Sequence, residues 1–102
     1  MSMDELEKIL LEIKQLNEVK EYEKVVELLT DSILEDYTND NLYFESALAY
    51  YRLGKYDLSD NILDKTLLLN PQNGVAYNLK GIIYMLKKIM KKVFSYILEQ
   101  LK

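Results

Sequence analysis

Residues 40–73 read DNLYFESALAYYRLGKYDLSDNILDKTLLLNPQN, and the fold is decided in this stretch. Gly54 divides it into two runs, and Asn70-Pro71-Gln72-Asn73-Gly74 closes it. In the second run, Tyr56, Ile62, Leu63, Thr66, Leu67 and Leu69 recur at helical spacing. No part of the chain alternates apolar and polar residues long enough to predict a strand. Gly54 is placed to end one helix in the left-handed conformation, and Pro71 follows the end of the next. The stretch therefore predicts two helices joined by a tight turn.

The same pattern extends outward in both directions. Thr38-Asn39-Asp40-Asn41 precedes the stretch, with Asp40 a suitable helix cap, and Asn73 is another. Ser2 followed by Glu5 has the form of a capping box. Upstream, Tyr22, Val25, Val26, Leu28, Leu29 and Ile33 form a further apolar stripe. Four residue pairs lie 34 positions apart: Tyr22 and Tyr56, Leu29 and Leu63, Tyr43 and Tyr77, Tyr50 and Tyr84. The chain is thus three registers, 6–39, 40–73 and an incomplete 74–102, each a helix, a turn and a second helix. About six helices are expected in an all-α chain.

Residues 40–73 resemble the tetratricopeptide repeat, or TPR. Tyr43 takes its large first-helix position, Ala47 its small contact and Tyr50 the next large site. Gly54 stands at its turn, Tyr56, Ser59, Leu63 and Thr66 on its second helix, and Pro71 at its close. Small residues at Ala47 and Ser59 let two helices approach, and the large ones fill the gaps beside them. The flanking registers follow the pattern less fully: Ile13 stands at a small site, and Lys88 replaces the turn glycine. Gly81 fits the small contact of the third. The resemblance implies a single TPR-like α-solenoid of antiparallel helices over residues 1–102.

Two readings of the third register stand. After Gly81 there is no Gly, Pro, Asn or Asp, so a turn near Lys87–Ile89 is implied by the resemblance alone. The alternative is one helix from about Val75 to Leu101. Its stripe would run Leu79, Ile83, Leu86, Met90, Val93 or Phe94, Ile97 and Leu101, the spacing of a coiled-coil seam. Either way, Met90, Val93, Phe94, Ile97, Leu98 and Leu101 make the last segment apolar and in need of a cover. That cover is repeat packing, a homodimer through residues 90–101, or the rest of a longer protein.

Composition bounds the chemistry. The 102 residues contain no cysteine, histidine or tryptophan, which excludes thiolate metal sites, thiol nucleophiles and imidazole catalysis. No phosphate-binding glycine loop or recognisable carboxylate pair occurs, so neither an enzyme nor a cofactor is expected. The acidic run Glu18, Glu21, Glu23, Glu27, Asp31, Glu35 and Asp36 lacks calcium-loop spacing and reads as a solvated face. The acidic opening has no signal-peptide character, and no apolar run reaches membrane-spanning length. A cytoplasmic protein with no membrane partner is expected.

The net charge of −4 is unevenly spread. Residues 1–39 hold eleven acids against four lysines, net −7; residues 40–73 carry −2; residues 74–102 hold six lysines against Glu99, net +5. This polarity fits ordinary solvated faces, head-to-tail association or an anionic partner. The cluster Lys87, Lys88, Lys91 and Lys92 is too small to predict nucleic-acid binding.

The resemblance also implies a function, since TPR arrays bind peptides or partner proteins on the concave surface of their first helices. By position the groove residues would be Leu10, Lys14, Asn17 and Glu18, then Asn41, Phe44, Glu45, Leu48, Tyr51 and Arg52, then Asn78, Ile82, Met85 and Leu86. Phe44, Tyr51 and Arg52 are the expected anchors. The carboxylate clamp of co-chaperone members is not expected: its positions fall on Leu10, Lys14, Glu45, Val75 and Leu79, and Glu45 would repel a carboxylate. Tyr22, Tyr43, Tyr50, Tyr56 and Tyr84 fall on packing positions, so core filling accounts for most of the nine tyrosines.

Overall fold

The computed structural model describes residues 3–102, so Ser2 and its capping box lie outside the described residues. The described chain is all-helical: α1 (Met3–Glu18), α2 (Tyr22–Leu28), α3 (Asp31–Tyr37), α4 (Asp40–Arg52), α5 (Tyr56–Leu69) and α6 (Gly74–Gln100). It measures 60 × 27 × 21 Å, elongated because α6 runs past the other helices.

Local chemistry sets the helix ends. At the end of α1, Lys20 adopts φ +66°, with Lys20 N–H donating to the Asn17 carbonyl and Glu21 N–H to that of Leu16. Gly54, 34 residues later, repeats this turn at φ +79°, with Gly54 N–H donating to Tyr51 and Lys55 N–H to Tyr50. Both are Schellman ends. The helix starts recur at the same interval. Asn39 accepts from Asn41 N–H and Leu42 N–H, and Asn73 accepts from Ala76 N–H. Asp40 is therefore not the cap of α4. It is the first helical residue, and its Oδ2 accepts from Asn70 Nδ2 (3.0 Å) and Asn73 Nδ2 (2.8 Å).

Helix α4 is the centre of the core. One of its faces packs with Ile13, Val25, Leu29 and Leu34, contributing Leu42, Tyr43 and Ala49. The other contributes Ala47 to a cluster with Leu63, Ala76, Leu79 and Ile83. Ala47 and Ser59 are both fully buried, and Ser59 Oγ donates to the Ala47 carbonyl at 2.7 Å. Only small residues permit an approach that close.

The structure departs from the sequence reading in several places. The stretch Tyr22–Ile33 is not one helix: it breaks at Leu29, and Thr30 starts α3 by accepting from Ile33 N–H. Thr-Asp-Ser offers cap and turn bonds that compete with helix continuation. Leu28 and Leu69, expected inside, are exposed at the ends of their helices. The third register has no turn. Lys88 lies in the middle of the 27-residue α6, in which no breaker interrupts the hydrogen-bond ladder. Consequently no helix among the described residues returns over Tyr77 and Tyr84, which are 55% and 67% exposed rather than core. The count of six helices survives because α2–α3 is a divided helix and α6 an undivided one.

Candidate functional site

Two surfaces stand out. The first is a groove of about 490 Å³ between the end of α1 and the face of α4, lined by Lys14, Asn17, Glu18, Lys20, Tyr22, Glu45, Leu48 and Arg52. The end of α1 presents Lys14, Asn17 and Glu18 at three- and four-residue spacing, hence on one face. Glu45, Leu48 and Arg52 do the same on α4.

A buried polar pair forms the floor. Asn17 and Glu45 are 8% and 7% exposed, and Asn17 Nδ2 donates to Glu45 Oε2 (3.0 Å) and to the Glu45 carbonyl (3.2 Å). Burial raises the pKa of Glu45 above its ordinary value. The Asn17 hydrogen bond and the charge of Lys14 oppose this rise, and Glu18 adds to it. The rim is cationic, with Lys14, Lys20 and Arg52 exposed against the single exposed acid Glu18. Arg52 also lies over the Tyr51 ring, 5.6 Å from its centroid.

Of the groove residues expected from sequence, the structure brings together Lys14, Asn17, Glu18, Glu45, Leu48 and Arg52. Phe44 and Tyr51 are half-buried and pack, with Leu48, against the second core cluster, so part of each supposed anchor is spent on the core. Asn41 is exposed outside the groove lining. Asn78, Ile82 and Met85 are exposed on α6, and Leu10 packs against the first cluster. Sequence reading missed Lys20 and Tyr22 as lining residues. Lys20 could have been found from its place 34 residues before Gly54, which marks a turn at the groove's end.

The second surface is α6 beyond Leu86. Its inner half buries Ala76, Leu79 and Ile83 and is held to α5 by ion pairs of Lys80 with Asp60 (2.9 Å) and Asp64 (2.6 Å), and of Lys87 with Asp57. Burial disfavours the charge on Lys80, but its hydrogen bonds to Asp64 and Asp60 outweigh this and raise its pKa. The Asp57 hydrogen bond raises that of Lys87. Lys80, Ile83, Tyr84, Lys87, Lys88 and Lys91 line, with Asp60, a groove of about 470 Å³ beside α5. From residue 87 onward every residue is exposed, including Met90, Val93, Phe94, Ile97 and Leu98 of α6 and Leu101 at its C-cap.

No protein-family model, curated protein or solved structure matches the chain. No helix among the described residues is long and apolar enough to cross a membrane.

Proposed function

We propose that the chain is a non-catalytic, TPR-like interaction module of the cytoplasm that takes an acidic peptide segment of a partner protein in the α1–α4 groove. The observation that carries this reading is the convergence of Lys14, Lys20 and Arg52 around a concave floor whose own acid, Glu45, is already bonded to Asn17. The solenoid reading is supported by the recurrence, at 34 residues, of left-handed turns at Lys20 and Gly54 and of asparagine caps at Asn39 and Asn73. Three exposed cations outnumber Glu18 and the buried Glu45, so the repulsion expected of Glu45 is outweighed at the rim and acidic side chains are favoured there, with Leu48 and Tyr22 offering apolar contact between the cations.

The test is to pan a random peptide library on the purified chain and measure the enriched peptides by fluorescence anisotropy. Acidic sequences should be enriched, and Lys14→Glu with Arg52→Glu should weaken them at least tenfold, about 1.4 kcal/mol. Peptides that bind the double variant as well as the parent chain would sink the reading.

A further inference from the structure

The buried pair at the floor of the α1–α4 groove is short of one hydrogen-bond donor. Asn17 and Glu45 are each more than nine-tenths buried. The amide of Asn17 donates to Glu45 Oε2 at 3.0 Å and to the Glu45 carbonyl at 3.2 Å. Asn17 Oδ1 is buried as well and accepts from no donor among the described residues. Turning the amide over does not help, since Oδ1 would then meet the two oxygens that Nδ2 now holds. An ionised carboxylate only accepts, so it gives this oxygen nothing. A protonated carboxyl supplies one O–H donor and still leaves an oxygen to accept from Asn17.

We propose that the groove is gated by one proton on Glu45. With the carboxyl neutral and its O–H given to Asn17 Oδ1, the floor accepts an anionic segment; with the carboxylate ionised, the floor repels it. This regulation rests on the peptide-binding function proposed above. The pair shares its groove with Lys14 and Glu18 from α1, Lys20 from the turn after it, Tyr22 from α2 and Arg52 from α4 itself. With Glu45 ionised the lining holds three cations and two acids, net +1; with Glu45 neutral it holds net +2. The change counts for more than one at the surface, because water and salt screen a buried charge less. Burial favours the neutral carboxyl, the Asn17 hydrogen bond and Lys14 favour the charged one, and Glu18 sides with burial. A bound anion also sides with burial. Binding therefore draws a proton from solvent, and by linkage a falling pH tightens binding.

The experiment uses the full chain and a rhodamine-labelled peptide of alternating cysteic acid and glycine, whose sulfonates stay ionised throughout. Its fluorescence anisotropy is followed from pH 7 to pH 5, a window between the ordinary ranges of exposed carboxylates and of lysine. The affinity should rise about threefold or more as the pH falls. Glu45→Gln offers Asn17 one donor and one acceptor, as the neutral carboxyl does. It should bind at pH 7 as the parent chain does at pH 5, and lose most of the pH dependence. Calorimetry in buffers of different ionisation enthalpy should register proton uptake on binding by the parent chain and none by Glu45→Gln. An affinity that stays flat from pH 7 to pH 5 overturns the gate, as does a pH dependence that Glu45→Gln leaves intact. Absence of binding at pH 5 overturns it too. In each of these cases the peptides panned at pH 7 still test the groove through Lys14 and Arg52, so the groove can stand without the gate. Sulfonate binding that survives Lys14→Glu with Arg52→Glu places the site elsewhere and overturns both.

Discussion

Glu45 shows what a single buried acid does to this molecule. Its carboxylate is held by Asn17, yet burial still raises its pKa from the ordinary 4.5. The folded state therefore binds this proton more tightly than the unfolded chain does. By linkage, Glu45 favours folding at low pH, and that contribution is lost as pH rises from the ordinary value through the folded one. Glu45→Gln keeps a hydrogen-bonding partner for Asn17 without the charge. It should raise stability at pH 7 by on the order of 1 kcal/mol and by progressively less towards pH 4. Urea midpoints of both proteins across that range check this, and a difference independent of pH would show that burial does not control the group. Ser46 is a simpler case. It is fully buried and its Oγ finds no partner among the described residues, so Ser46→Ala should raise stability by about 1 kcal/mol in the same measurement. A loss on that substitution would mean that the hydroxyl is bonded.

Among the elements, α6 holds the decisive contrast. Gly81 was expected as a small contact between two helices, but a Cβ there would meet nothing within 4 Å. In an exposed helix interior, glycine costs backbone entropy without return. Gly81→Ala should therefore raise the thermal midpoint, by an amount corresponding to about 0.5–1 kcal/mol. A fall would place a second helix against Gly81, as a turn near Lys88 requires. The α4–α5 pair behaves as its sequence reads, since Ala47 and Ser59 touch and Gly54 supplies the left-handed turn. In α2 and α3 the apolar spacing was legible across Leu29 and Thr30, but the break was not. It depends on a threonine accepting from Ile33 N–H, which periodicity does not register.

At the scale of the molecule, the buried core and the exposed apolar residues of α6 occupy different parts of the chain. Everything buried lies at or before Ile83, and Leu86 is the last half-buried residue. Deleting residues 89–102 removes no core contact and leaves the Lys87–Asp57 pair in place. That deletion should change the unfolding free energy of the monomer by less than about 1 kcal/mol, measured in urea at low concentration. A larger loss would mean that the outer half packs on its own body. The candidate groove was partly legible for a similar reason. Lys14, Asn17, Glu45 and Arg52 were implied by the resemblance through their repeat positions, whereas the burial of Asn17 with Glu45 arises only where α1 meets α4.

The sequence by itself determined the helix pair of residues 40–73, the asparagine start at Asn73, the turn at Gly54 and the contact of Ala47 with Ser59, because each depends on neighbours within a few residues or on strict helical phase. Only the tertiary structure decided between turning and continuing at the two lysines that share the phase of Gly54. Lys20 turns and Lys88 does not. A left-handed lysine costs about 1–2 kcal/mol, and a helix end leaves backbone groups without intrahelical partners. After Lys20 that cost is offset, because Val25, Leu29 and Leu34 return to bury themselves against α1 and the following helix α4. Around Lys88 the residues from Ile82 to Lys102 include no glycine, proline, asparagine or aspartate, and the intrahelical ladder of α6 runs unbroken to Gln100.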